Sequence, residues 1–163
     1  MPFIKLNVLG FKGSPLKMTE LMVTRFNNNT WTENCRWKEK NGVSGCIYGS
    51  PVHTKEDIPL MVSIYVIEMN NDRNKIMGIG KIINKVCTDQ NYRIYEERNY
   101  NRYTYRGKTR LDRTDIALEN LETLEKLEKR LFKGKSHLKR GQGFSRLPPD
   151  VYKEYLKFVS KLI

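Results

Sequence analysis

The sequence is poor in the residues that build covalent or metal scaffolds. Its 163 residues include three cysteines (Cys35, Cys46, Cys87) and two histidines (His53, His137). Three thiols cannot pair completely, and neither C-x-x-C nor a Cys/His pair at zinc spacing occurs, so the chain reads as one with free thiols from a reducing compartment. No apolar run approaches the length of about 18 residues that a membrane span needs, and the first residues carry no signal-peptide core. The expectation is a soluble intracellular protein of the cytoplasm, nucleus or a virus particle, with no membrane partner. The phosphate loop G-x-x-x-x-G-K-[ST] and the dinucleotide fingerprint G-x-G-x-x-G are missing too, and no cofactor is expected. The carboxylates Glu68, Asp72, Asp89 and Asp112 show no spacing that marks a metal pair or an acid/base dyad, so the chain is not expected to be an enzyme. No repeat or low-complexity linker divides it, and residues 1–163 read as one domain.

Positive charge, by contrast, is in excess. Thirty Lys and Arg against eighteen Asp and Glu give a net charge of +12. Such an imbalance favours an anionic partner, first of all nucleic acid, RNA or DNA. The alternative is a structural or assembly protein, such as a virion component, whose basic surface holds genome or an acidic partner within a larger viral or cellular assembly. Nine Tyr, six Phe and two Trp argue for a folded core, because disordered chains carry few aromatics.

The stretch 62–84 organises the rest. Residues 62–69 and 75–83 read as two strands, rich in β-branched residues, and Asn70, Asn71, Asp72 and Asn74 between them are turn chemistry. Gly78 and Gly80 leave a side-chain-free groove on one face of the second strand. The turn is the part of the hairpin most open to a partner. Residues 1–9 and 21–26 are further strands. Thr30 and Glu33 stand at the spacing of a capping box for a short helix, 31–40. A short strand is expected at 46–48, another at 91–95, and a hairpin over 99–112 turning at Arg106, Gly107 and Lys108. Leucines at three- and four-residue spacing, beginning with Leu118, predict a helix over 114–132 capped by Thr114 or Asp115. Pro148 and Pro149 introduce a last helix, 151–162.

This order of elements, with Ile76-Met77-Gly78-Ile79-Gly80-Lys81-Ile82 ending the signature strand, resembles the PUA-like superfamily, in particular its EVE and YTH branches. The resemblance covers roughly residues 20–84. It implies an α+β fold: an irregular β-barrel of about five to six strands with helices packed outside. Val66-Ile67-Glu68-Met69-Asn70-Asn71 and the stretch 140–148 are also similar to proteins of large DNA viruses. The PUA-like resemblance implies a nucleic-acid reader that takes a flipped or modified base into an aromatic pocket beside the first strand and the helix after it. The residues of this chain at those places are Asn28, Thr30, Trp31, Asn34 and Trp37, with Tyr48 and Ser50 following. The chemistry fits: an extruded base offers two π faces and a polar edge, which call for flat rings and amide or hydroxyl partners. For each tryptophan the plainer reading is core packing, and for Asn34 a helix-surface amide.

Two basic segments are candidates for backbone contact. In the first, Lys135, His137, Lys139, Arg140, Gln142 and Arg146 surround glycines whose free N–H groups can face a phosphate. In the second, Arg102, Arg106 and Lys108 alternate with Tyr103 and Tyr105, as a sheet face tracking a single strand would. The plainer readings are a solvated basic loop and a surface hairpin.

Overall fold

The computed structural model describes residues 19–163, and the strand expected at 1–9 lies outside them. The fold is α+β, with seven strands and three helices among the described residues. In chain order they are β1 (Glu20–Phe26), α1 (Asn28–Lys40), β2 (Cys46–Ser50), β3 (Ser63–Asn70), β4 (Lys75–Ile83), β5 (Tyr103–Gly107), β6 (Thr109–Asp112), α2 (Leu118–Phe132), β7 (Ser145–Arg146) and α3 (Pro149–Leu162). One ladder has the order β6-β4-β3-β1-β7, and β2 and β5 make a second. β1 and β3 run parallel, and the other pairs are antiparallel. The ladder pairings do not close into a barrel among the described residues.

The β3–β4 hairpin forms as expected. Asn70 Oδ1 accepts from the backbone N–H of Asp72 (3.0 Å) and Arg73 (3.1 Å), and Asn74 takes the left-handed conformation that Asn tolerates (φ 53°). The register slips between Glu68 and Met69: Glu68 pairs with Gly78 but Met69 with Ile76. This bulge lets Ile76 and Ile79, an odd number of residues apart, point into the same core.

The five-stranded sheet has two unlike faces. Leu21, Val23, Tyr65, Ile67, Met69, Ile76 and Ile79 meet Leu124, Leu127 and Leu131 of α2 and Val151, Tyr155 and Val159 of α3. Met22, Phe26, Ile64, Val66 and Ile82 meet the β2–β5 ladder, the tryptophans of α1, and the loop residues Tyr92, Ile94, Tyr95 and Phe144.

Local expectations are corrected at five places. The cap of α1 is Asn27, in a reciprocal pair with Thr30 (Thr30 N–H to Asn27 Oδ1 2.8 Å, Asn27 N–H to Thr30 Oγ1 3.0 Å), so the helix starts one turn before the expected Thr30–Glu33 box. Glu33 instead accepts from the Glu96 amide at 3.1 Å. Residues 91–95 form no strand, because Asn101 Oδ1 takes the Ile94 (3.0 Å) and Tyr95 (2.9 Å) amides. Residues 99–112 are not a hairpin but a corner: β5 pairs with β2, β6 with β4, and Lys108 passes the chain between ladders. Asp112 caps a short 3-10 turn at Arg113–Asp115, and α2 starts only at Leu118, which is 86% exposed and outside the core.

Candidate functional site

A cleft of about 210 Å³ opens where β1 ends and α1 begins. Its floor is Thr24, Arg25 and Phe26 of β1, continued by Asn27 and Thr30 of the α1 cap. Tyr95 and Tyr100 form an aromatic side, their rings perpendicular with centroids 6.2 Å apart. Tyr95 is buried and held from beneath, since Asn34 Nδ2 donates to its hydroxyl (2.9 Å) and to the Ile47 carbonyl (2.7 Å). Burial raises the pKa of the Tyr95 phenol, which stays protonated. Tyr100 is 40% exposed and leaves its ring at the rim.

The opposite wall is the loop 138–143, with Lys139, Gly141, Gln142 and Gly143 on the cleft. Two side chains pin it. Arg25 donates to the Leu138 carbonyl, the Gly143 carbonyl (3.3 Å) and Ser145 Oγ (2.8 Å). Asn71 Nδ2 donates to the Lys139 carbonyl at 2.8 Å. That bond fixes the amide's orientation and leaves Asn71 Oδ1 as a buried acceptor that meets no donor among the described residues. Gly143 has φ +66°, and a Cβ there would come to 2.5 Å from Ser50 Oγ, so the loop needs glycine at this point. The first amide of α1 is already occupied, because Asn28 N–H donates to Asp72 Oδ2 (2.8 Å).

Beneath the cleft lies a buried polar knot that fills the groove left by Gly78 and Gly80. Glu68, 2% exposed, accepts from Arg110 Nε (2.9 Å), Arg110 Nη2 (2.6 Å) and the Tyr48 hydroxyl (2.6 Å). Arg110 also pairs with Asp112 (3.0 Å) and lies over the Trp31 ring (5.5 Å). Cβ atoms at Gly78 and Gly80 would collide with these groups. Burial, reinforced by the Glu68 charge, raises the Tyr48 pKa well above its usual value. The knot's donors and acceptors are spent on one another, which makes it scaffold.

Of the expected base-pocket residues, Thr30 lines the cleft and the others are engaged elsewhere. Asn28 Oδ1 accepts from Asn70 Nδ2 (3.2 Å) and Arg73 Nε (3.1 Å). Trp31 packs edge-on against Phe26 (5.1 Å) and Trp37 against Tyr92 (5.8 Å). Asn34 is buried rather than on the helix surface, Tyr48 belongs to the knot, and Ser50 Oγ donates to the Val52 carbonyl.

The expected backbone contacts divide similarly. Lys139 and Gln142 line the cleft, and Lys135 and Arg140 are exposed nearby in sequence. His137 Nδ1 accepts the Lys139 amide (3.2 Å). Arg146 is drawn off by Asp57 (2.6 Å) and Glu20 (3.3 Å). Arg102 sits over Tyr103 (5.4 Å) and Lys108 is exposed, but Arg106 donates to Tyr92 Oη (3.2 Å) and Tyr105 is buried, so β5 offers no continuous basic–aromatic face.

The sequence reading passed over Arg25, Phe26, Asn71, Tyr95 and Tyr100 as pocket residues, although the turn holding Asn71 was already marked as open to a partner. No three His, Cys, Asp or Glu side chains converge as a metal site would need among the described residues, and no helix there is long and apolar enough to cross a membrane. No family model, curated protein or solved structure matches the chain.

Proposed function

We propose that the chain is a nucleic-acid-binding module of PUA-like build, which takes a base turned out of its strand into the cleft between Tyr100 and the 138–143 loop. The observation that carries this reading is Asn71 Oδ1. A buried acceptor that meets no donor among the described residues is costly, and its residue lines a cleft whose other side is aromatic. A flat ring bearing an N–H on its edge answers both features, and a nucleobase is such a ring. The net charge of +12 supplies long-range attraction to a polyanion. In a PUA-like build the two ladders are the halves of an irregular barrel. The close approach of β2 to β4 and β6 supports that view, with Cys46 Sγ 3.8 Å from the Lys81 carbonyl and 3.7 Å from the Thr109 carbonyl.

The test is fluorescence anisotropy with labelled single-stranded RNA and DNA. Binding at low salt that weakens steeply as salt rises is expected, and Tyr100→Ala should cost about 1–3 kcal/mol of affinity with little change in melting temperature. If no oligonucleotide binds at low salt, the reading is wrong.

A second reading, a non-enzymatic assembly protein, is favoured by a different observation. Leu60 (80% exposed), Met61 (60%) and Ile83 (46%) stand unprotected where the Met61 amide bonds the Asn84 carbonyl. A defined oligomer in light scattering, dispersed by Leu60→Glu, would support it, and a monomer at all concentrations would remove it.

A further inference from the structure

Among the described residues, Arg25 differs from three of the four other partly buried arginines; the fourth, Arg106, donates to the Tyr92 hydroxyl (3.2 Å). Arg110, Arg113 and Arg146 each face a carboxylate, Glu68, Glu128 and Asp57 respectively, at 2.6 Å. Arg25 forms no ion pair with any described residue, and residues 1–18 contain no Asp or Glu that could supply one. Its three hydrogen bonds go to two carbonyls and a hydroxyl, which take hydrogens but not charge. A guanidinium carries five N–H donors in a planar fork, so about two remain. Desolvation alone lowers its pKa, with no neighbouring anion to offset it. A half-buried cation balanced by dipoles alone is an arrangement that proteins generally complete with an anion.

Arg25 lines the cleft, and the residue passing over its guanidinium is Gly141, where a Cβ would lie 3.1–3.3 Å from the guanidinium atoms. No side chain at that position stands between the charge and a ligand. Lys139, on the same wall, spends its ammonium on the neutral Asn74 Oδ1 (2.7 Å), which leaves a second charge without a counter-charge. Two residues that carry unpaired positive charge thus line one cleft with Asn71 and an aromatic side.

Resting on the reading of the cleft as a base site, we propose that a phosphate of the ligand seats on Arg25, with Lys139 beside it. The unit recognised is then a nucleotide: its base against Tyr100 and Asn71, its phosphate on the fork. The planar fork suits a phosphate because two parallel N–H donors can meet two oxygens at once.

The experiment is an NMR titration of the full chain at low salt with the four nucleosides and their 5′- and 3′-monophosphates, reading affinities and the Arg25 Nε–H resonance. At least one monophosphate should bind about tenfold or more tighter than its nucleoside, and should move that resonance where the nucleoside does not. In Arg25→Gln the gap should close, and in Arg25→Lys, which keeps the charge but not the fork, it should narrow. If Arg25→Gln fails to fold, the wild-type comparison and the resonance decide. Equal binding of nucleosides and monophosphates, an unmoved resonance, or a gap that survives in a folded Arg25→Gln protein would overturn the proposal. Oligonucleotides that still bind through Tyr100 in those cases leave the base-reading function standing. Failure of every oligonucleotide and mononucleotide to bind removes both.

Discussion

The two faces of the five-stranded sheet are built on opposite principles. The helix-covered face is almost wholly apolar, a layer of apolar side chains from α2 and α3 on alternate residues of β1 and β3 and on Ile76 and Ile79 of β4. Its ionic contacts lie towards its margins: Arg113, in the turn before α2, to Glu128 in the second half of that helix (2.6 Å), and Arg130 to Asp150 (2.8 Å) between the helices. The other face is aromatic and polar, with Glu68, Arg110, Tyr48 and Asn34 bonded inside it and the cleft at its edge. Burying apolar area on one face stabilises the sheet without specifying a ligand. The other face spends part of its burial on groups that must be paired, and those groups set where Tyr95 and the cleft floor stand.

The contrast can be broken most directly at Glu68. Glu68→Leu should cost about 3–5 kcal/mol in chemical denaturation, because it leaves the Arg110 charge in the interior with Asp112 as its remaining carboxylate. The double variant Glu68→Leu, Arg110→Leu should recover most of that loss, and a double variant as unstable as the single would show that the knot is more than a matched pair. On the helix face, Leu127→Ala should cost about 2–5 kcal/mol by leaving a cavity, while nucleic-acid affinity measured on the folded fraction stays unchanged. Gly143→Ala sharpens the comparison from the cleft side. The strained backbone and the contact with Ser50 should cost about 1–3 kcal/mol, and here affinity should fall along with stability.

The smallest effect is expected from pH. Burial pushes the Cys46 thiol from 9.0 up to about 11. The unfolded chain would give up this proton near 9 while the folded chain keeps it until near 11, so the thiol's contribution is complete below pH 9 and is lost as pH rises towards 11. Thermal melts should show a stability loss of about 1 kcal/mol by pH 10 from this group. Cys46→Ala should flatten that part of the profile, with the buried phenols Tyr48 and Tyr95 adding a residue of the same sign.

How much of this could be read from the residues depended on how local the deciding interaction was. The β3–β4 hairpin was legible because its turn bonds run within Asn70–Asn74. The cap of α1 slipped by one turn because Asn27–Thr30 and Thr30–Glu33 are overlapping signals three residues apart, and only the first is used. The corner at Lys108 was illegible because β5 and β6 alternate in the same way, while their partners lie in different ladders. Much of the cleft escaped for the same reason. Arg25, Asn71, Tyr100 and Gly143 come from four separate segments, and nothing in the spacing of any one of them reports the others. The tryptophans drew notice as flat rings near the right strand, yet they lie against Phe26 and Tyr92.

The short pairing of β1 with β7 has a consequence for how the chain reaches its folded state. Met22 and Val23 pair with Arg146 and Ser145, and Arg25 bonds Ser145 and Gly143 across more than a hundred residues. Closing so long a loop is among the slower steps of folding. During synthesis β1 leaves the ribosome more than a hundred residues before β7 and keeps one edge open until β7 follows, an edge that invites pairing with other chains. The wall of the cleft is therefore completed after the hairpin and α2, and a chain interrupted before Gly143 would lack it even where those had formed. A ligand that bridges Tyr100 and the 138–143 loop would hold that late closure shut, and it should slow amide exchange at Met22 and Val23 more than in the helices α2 and α3.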